Sequence, residues 1–411
     1  MASSGARCKV RGTMKTWLKT SILSIALVSL LAVGLFHALD LRLSRPSADI
    51  AFSPARPILE AEGRTYDAKP RNIILFIADG MGFGHLSLAL HTQQADDTAA
   101  VWQEFEVKGW HDTKSTDGPL TDSGASATAM ATGTATYWAV IGQDEDGGHL
   151  TNAFEIASAQ GFTTGIVTDS YIWDATPAAF VAHTRSRSNS REILTQIAAS
   201  ELDLLFGELE DLGEDDNPDY AETVEILSRR FLLLDRPLPA PQTLPIDRPI
   251  AALYDEDEVQ DLSSDPNLPQ LTELALEYLS ADDRPFILLV ESEETDTASH
   301  RNDSERVVRG LQAIQTTLAL ILEFADTHPE TLVVFTADHE TGGLAAVADY
   351  DSYPDLQIRW STKDHTAMLV PILATGPGAE HFGSIERNWQ IGEILKGLLA
   401  GERRPDRGVP P

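Results

Sequence analysis

One cysteine in 411 residues, Cys8, leaves the chain without an intramolecular disulfide and without a cluster of thiolates to hold a metal. Any metal must be held by Asp, Glu, His and hydroxyl oxygens. Basic residues are scarce as well: 31 Lys and Arg stand against 63 Asp and Glu, a formal charge of −32 that repels nucleic acid. An anionic small substrate would meet the same field, so an anion site must depend on local metal or arginine charge. Internal repeats are missing. Acidic runs such as Asp255–Glu258 lack the EF-hand spacing and read as a solvated charged face. The apolar fraction of 42% is that of an ordinary globular core and excludes disorder of the whole chain.

Only one long uncharged apolar run is present, Ser21–Leu39, and five basic residues precede it against two soon after it. At helical rise its 19 residues span roughly 28 Å, close to a bilayer core, and the charge bias puts the N-terminus inside. Residues 1–45 are therefore expected to be an export signal or an uncleaved membrane anchor, with the remainder extracytoplasmic, periplasmic or secreted. Residues 46–70, with Pro46, Pro54, Pro57 and Pro70, read as a linker, 71–400 as the catalytic domain and 401–411 as a tail. Within that domain the segment 201–283 holds 23 acidic and four basic residues, and we read it as surface helices and loops.

Short continuous apolar runs at Asn72–Ala78, Phe162–Val167, Phe286–Val290, Leu332–Phe335 and Met368–Leu373 suit strands buried on both faces. Between them lie helical patterns: small, Ala-rich Gly124–Ala131, Asn152–Gln160 after a Thr151 cap, and Glu305–Ala325 with an apolar stripe. Strands alternating with helices predict an α/β fold with a large, mostly parallel central sheet covered on both sides. Functional groups in such sheets gather at the carboxyl ends of the strands.

Chemistry-bearing residues fall at those ends. In IADGMG, Asp79 directly follows a strand and precedes a glycine turn. TDSGASATAMATGT puts Ser123 before a helix of small residues, where backbone N–H groups would stabilise an attached phosphoryl group, although capping would also explain a serine there. VESEETDTASHRND ends a strand at Glu291 and sets Asp296 and His300 four apart, on one side of a helical turn. TADHETGG offers adjacent Asp338 and His339, which can share a metal only where the chain is irregular. His365 precedes another strand. WDATPAAFVAHTRSR adds Asp174 and Thr176 as oxygen donors for a harder cation such as Mg²⁺, with Arg185 or Arg187 to clamp a phosphate. Together these residues read as a dinuclear metal site facing a serine, and hydrolytic phosphoryl transfer is the chemistry they fit.

In order from about Asn72 to Leu399, the motifs DGMG, TDSGASATAMATGT, DATPAAFVAH, the Glu291–Asp296–His300 unit, TADHE and the late His-Thr resemble those of the alkaline phosphatase family. The resemblance implies a three-layer α/β/α sandwich, about ten strands and a homodimer. It also implies two zinc ions and one magnesium ion: Asp296, His300 and His365 around one zinc, Asp338, His339 and Asp79 around the other, and Asp79, Thr176 and Glu291 around the magnesium. Ser123 would be the nucleophile, forming a phosphoserine from small phosphate monoesters, and Arg187 the phosphate-binding arginine.

Three features depart from the family pattern. Thr297 stands where well-known members carry Lys or His, leaving Asp174 with no cation beside it and magnesium affinity and phosphate release at issue. Gly124 replaces the usual Ala. Only 21 residues separate Gly343 from His365, too few for the surface domain some members insert there. Competing readings are a sulfatase, which lacks its C/S-x-P-x-R setting here, a phosphodiesterase of the same superfamily, and a non-catalytic acidic surface protein that binds calcium or phosphate.

Overall fold

Asn72–Ala78 forms a strand whose seven side chains are all buried, because both faces of the sheet are covered. The computed structural model describes residues 69–92, 101–209, 218–245, 248–347 and 356–400. The N-terminal segment 1–45, nearly all of the 46–70 linker and the 401–411 tail lie outside the described residues.

Nine strands make one sheet among the described residues: β1 (Asn72–Ala78), β2 (Val107–His111), β3 (Thr163–Tyr171), β4 (Leu204–Leu209), β5 (Leu232–Leu233), β6 (Ile250–Asp255), β7 (Phe286–Ser292), β8 (Thr331–Thr336) and β9 (Val370–Thr375). The order across the sheet is β2-β9-β8-β1-β7-β3-β4-β6-β5. Every pairing from β8 through to β5 is parallel, and β9 alone runs against both its neighbours. Thus β8, β1, β7 and β3 lie side by side and point their carboxyl ends the same way.

Side chains alternate across the pleat. Ile73, Leu75 and Ile77 of β1 enter one core with the helices Ser123–Thr132, Ala153–Ala159 and Trp389–Ala400. Ile74, Phe76 and Ala78 enter the other, with Phe83–Thr92, Leu268–Ser280 and Ser304–Thr327. The result is a three-layer α/β/α sandwich, as expected. Each large aliphatic side chain fully buried in these layers contributes about 1.5–3 kcal/mol. Ser304–Thr327 is the one described helix long and apolar enough to cross a bilayer, but its stripe of Val307, Leu311, Ile314, Leu318 and Ile321 is buried in the second core.

Two readings are corrected by this architecture. The acidic segment 201–283 is not only surface helices and loops: LLFGEL and IAALYD inside it form β4 and β6, strands embedded in the sheet. Most of its acidic residues lie outside these two strands, and buried Glu208 of β4 is used, accepting from the backbone N–H of Asp257 and Val259 at 3.0 and 2.8 Å. The cap of the helix Ala153–Ala159 is Asn152 rather than Thr151; Asn152 and Glu155 form a reciprocal capping box.

The helix Ser123–Thr132 explains its own composition. All ten residues are buried, and the C-terminal helix crosses it so closely that a Cβ added at Gly392 would lie 2.6 Å from the Met130 carbonyl oxygen and 2.8 Å from that of Ala129. Backbone cannot yield as a flexible side chain can. Gly392→Ala is therefore expected to lower stability by about 1–3 kcal/mol, measured as an earlier denaturant midpoint at unchanged slope; an unchanged midpoint would contradict this crossing.

Candidate active site

Asp79 leaves the end of β1, Glu291 lies near the end of β7, and Asp338 follows β8. The register sets Ile77 of β1 beside Glu291 of β7 and Thr336 of β8, so neighbouring parallel strands bring the three carboxylates to one edge of the sheet. Asp296 and His300 stand on the helix Glu294–Arg301, which β7 feeds through the single residue Glu293. His365 pairs with Thr341 in a short antiparallel bridge and reaches the same place. Close approach needs a bare backbone at Gly80: its φ is +70°, and a Cβ there would meet Asp296 Oδ1 at 2.7 Å.

The side chains assemble in two overlapping groups, Asp296 with His300 and His365, and Asp79 with Asp296 and His339. His300 Nε2 is 3.2 Å from Asp296 Oδ2 and 3.2 Å from His365 Nε2. His339 Nε2 is 3.2 Å from Asp338 Oδ2 and 3.5 Å from Asp79 Oδ1. Second partners fix the rings: the Nδ1 atoms of His300 and His365 face the carbonyls of Lys363 and Thr121 at 2.5 and 2.7 Å, leaving Nε2 as the free ligand atom. The chain after β8 is irregular, with Gly342 and Gly343 at φ +86° and +58°, which lets adjacent Asp338 and His339 turn to one point.

Ser123 is the first residue of its helix, and the capping role that a serine could take is filled by Asp122, whose side chain accepts from the Ala125 N–H at 3.1 Å. The Ser123 hydroxyl is left at the N-terminal end, 3.4 Å from His339 Nε2 and 3.3 Å from Arg187 Nη1. Arg187, and not Arg185, enters the site. Arg185 donates to the Asp146 carbonyl at 2.6 Å. Asp122 and Asp174 grip the Arg187 guanidinium at 3.4 and 2.7 Å; burial alone would lower its pKa, but these carboxylates raise it and hold the charge. Asp174 therefore does have a cation beside it, contrary to expectation, and that cation is Arg187. The Thr297 hydroxyl donates to Glu293.

Several buried oxygens here have no hydrogen-bond partner: Asp79 Oδ1, Asp338 Oδ2, Glu291 Oε1 and Thr176 Oγ1. Burial, then the charges of Asp338 and Asp296, push the Asp79 carboxyl well up; burial, then Asp296, push Asp338 up to about 7; burial, then Asp174, push Glu291 well up. At Asp296 burial also opposes ionisation, but His300, His339 and His365 outweigh it and hold the group low. An unpaired buried acceptor costs about 1–3 kcal/mol, more when charged, and here several converge. Hard divalent cations satisfy such oxygens and reverse the shifts. The donors therefore fit metal ions: nitrogen and carboxylate around Asp296 and His339, oxygen alone around Asp79, Thr176 and Glu291.

Three participants escaped sequence reasoning. Asp122 orients Arg187 and caps the helix; an acidic residue just before a helix start was the available signal. Trp138, half exposed, stacks on His365 with ring centroids 5.9 Å apart, and its TYWAV setting carries no signature. Asp169, at the end of β3, accepts from Ser292 Oγ at 2.8 Å and the Glu293 N–H at 2.6 Å, and burial lifts its carboxyl to about 8.

Known proteins with this arrangement are recognisable from the whole chain. The family model described as alkaline phosphatase matches residues 70–205 and 254–355. Alkaline phosphatase 4 of Bacillus subtilis is 29% identical over 94% of this chain and 98% of its own. Streptomycin-6-phosphate phosphatase of Streptomyces griseus is 27% identical over 80% of this chain and 91% of its own. Among solved structures, the alkaline phosphatase of the Antarctic bacterium TAB5 superposes with a TM-score of 0.74 at 29% identity, covering 81% of this chain and 98% of that one. A sheet in this order, its ligand-bearing strand ends and these matches agree: the chain belongs to the alkaline phosphatase family, whose members are phosphoric monoester hydrolases.

Proposed function

We propose that the protein hydrolyses small phosphate monoesters to an alcohol and inorganic phosphate through a phosphoserine on Ser123, outside the cytoplasm. The observation that supports this most is the Ser123 hydroxyl at a helix N-terminus between His339 and Arg187. Asp296, His300 and His365 would hold one zinc, Asp338, His339 and Asp79 the other, and Asp79, Thr176 and Glu291 a magnesium. When bound, the ions supply Lewis acidity, lowering the pKa of hydroxyl and water and neutralising phosphoryl charge.

The chain's own groups do the rest. Ser123 Oγ loses its proton and attacks phosphorus; the bond to the leaving alcohol breaks and that oxygen takes up a proton. Water then attacks the phosphoserine, its P–O bond to Ser123 breaks, and phosphate departs with the serine reprotonated. The helix N-terminus faces the phosphoryl dianion with its dipole and free N–H groups. Arg187 offers two parallel donors to non-bridging oxygens, and Asp122 and Asp174 fix the plane of that fork beforehand. A clamp of this kind favours a monoester dianion over a diester, which has one fewer free oxygen. Residues 1–45 would export or anchor the catalytic body, and the acting unit would be a homodimer.

Ser123→Ala is expected to retain its metal content while abolishing phosphoenzyme labelling and lowering turnover by about 10³-fold or more; near-normal turnover would remove the serine from the mechanism. Arg187→Ala should weaken inhibition by inorganic phosphate about tenfold or more while Arg185→Ala leaves it nearly unchanged; equal inhibition constants for the two variants would count against the clamp.

Metal removal carries a signed pH dependence. Asp338 at about 7 and Asp169 at about 8 lie above the ordinary unfolded value, so between about pH 4 and pH 8 these two carboxyls bind more protons in the metal-free fold than in the unfolded chain. Stability of the chelator-treated protein should therefore fall as pH rises through that window, and reloading Zn²⁺ and Mg²⁺ should restore most at the high end. Thermal unfolding of both forms across this range tests it; a metal-free protein that grows more stable toward pH 8 would be inconsistent with burial of uncompensated carboxyls.

A further inference from the structure

His149, Glu155 and His183 meet in a third group of potential ligands that shares no residue with the two at the strand ends, and none of them enters the proposed mechanism. Their ligand atoms all lie within 4.8 Å of one another. His149 Nε2 is 3.1 Å and His183 Nε2 is 3.5 Å from the same oxygen, Glu155 Oε1. Ligand atoms on a tetrahedral zinc, bonded at about 2.0–2.1 Å, stand roughly 3.3–3.4 Å apart, so each histidine already lies at a coordination-shell distance from the carboxylate oxygen. We propose that these three side chains form an additional transition-metal site of the Zn²⁺ class, open to water at its fourth position.

The surrounding structure prepares each ligand. His183 Nδ1 faces the Gly142 carbonyl at 2.8 Å, which fixes the tautomer and leaves the Nε2 lone pair free. Glu155 gives its second oxygen to the Asn152 N–H at 2.9 Å in the capping box, so Oε1 remains for an ion. His149, exposed and stacked on His183 with centroids 3.7 Å apart, needs only rotation of its ring to aim. Two backbone bridges, Ile141 with Thr184 and Gln143 with His149, hold the two histidine segments together. An ion there would staple residues 141–149 to the stretch that runs on from His183 to Arg187, whose N–H binds the Ala139 carbonyl at 2.8 Å. His149 and Glu155 stand six positions apart, but His183 is 34 positions after His149, so no local motif announces the three together.

The test is calorimetric titration of Zn²⁺ into enzyme already loaded with zinc and magnesium, compared with His149→Ala and Glu155→Gln. The first variant changes an exposed side chain, and the second keeps the capping acceptor while removing the ligand charge. The wild type should show one further 1:1 binding step, lost in His149→Ala and weakened about tenfold or more in Glu155→Gln. No further step in the wild type, or one that survives His149→Ala unchanged, would overturn the proposal. Because the readout is binding heat and not turnover, its failure is distinguishable from failure of the phosphatase mechanism.

Discussion

Several carboxylates are buried at one edge of the sheet with too little positive charge beside them, and the rest of the structure is arranged around that fact. Asp79, Asp338 and Glu291 are buried almost completely, and each leaves an oxygen without a partner. Arg187 reaches Ser123, yet Asp122 and Asp174 already engage it. In a low-dielectric interior such groups either keep their protons or receive cations from outside. Both outcomes are visible in the same residues: raised pKa values without metal, and a donor set suited to metal.

Local details that look unrelated follow from this convergence. Four parallel strands set their ends together, since a side chain leaving one parallel strand end meets its counterparts from the neighbours. Gly80 is bare because Asp296 comes to within a side-chain width of it. The helix beginning at Ser123 is small along its whole length because the sheet and the C-terminal helix press on it from both sides, which brings its N-terminus to His339. Asp122 does two things at once, capping that helix and orienting Arg187, so the nucleophile and the phosphate clamp share one support.

Much of this was legible in the sequence, and for identifiable reasons. NIILFIA could be read as a strand because an uninterrupted apolar run of that length fits only an element covered on both faces. Asp296 and His300 could be paired because helical spacing alone brings positions four apart together. The strands LLFGEL and IAALYD were hidden by the charge of their flanks; composition averaged over 201–283 reports the loops, not the sheet they connect. The ion pair between Arg187 and Asp174 could not be foreseen from Thr297, because it depends on how the loop after Ala175–Ala179 pairs with Ala139 and Ile141. For the same reason His149 and His183 gave no signal: their meeting is made by one local backbone bridge, Gln143 with His149, and one between distant segments, Ile141 with Thr184.

The most direct test of the account is where heavy ions sit. Crystals of metal-loaded protein measured above and below the zinc absorption edge should show anomalous peaks between Asp296, His300 and His365 and between Asp79, Asp338 and His339, with non-anomalous density enclosed by Asp79, Thr176 and Glu291. An empty strand-end site in protein exposed to zinc and magnesium, with its buried carboxyls hydrogen-bonded to one another, would contradict it.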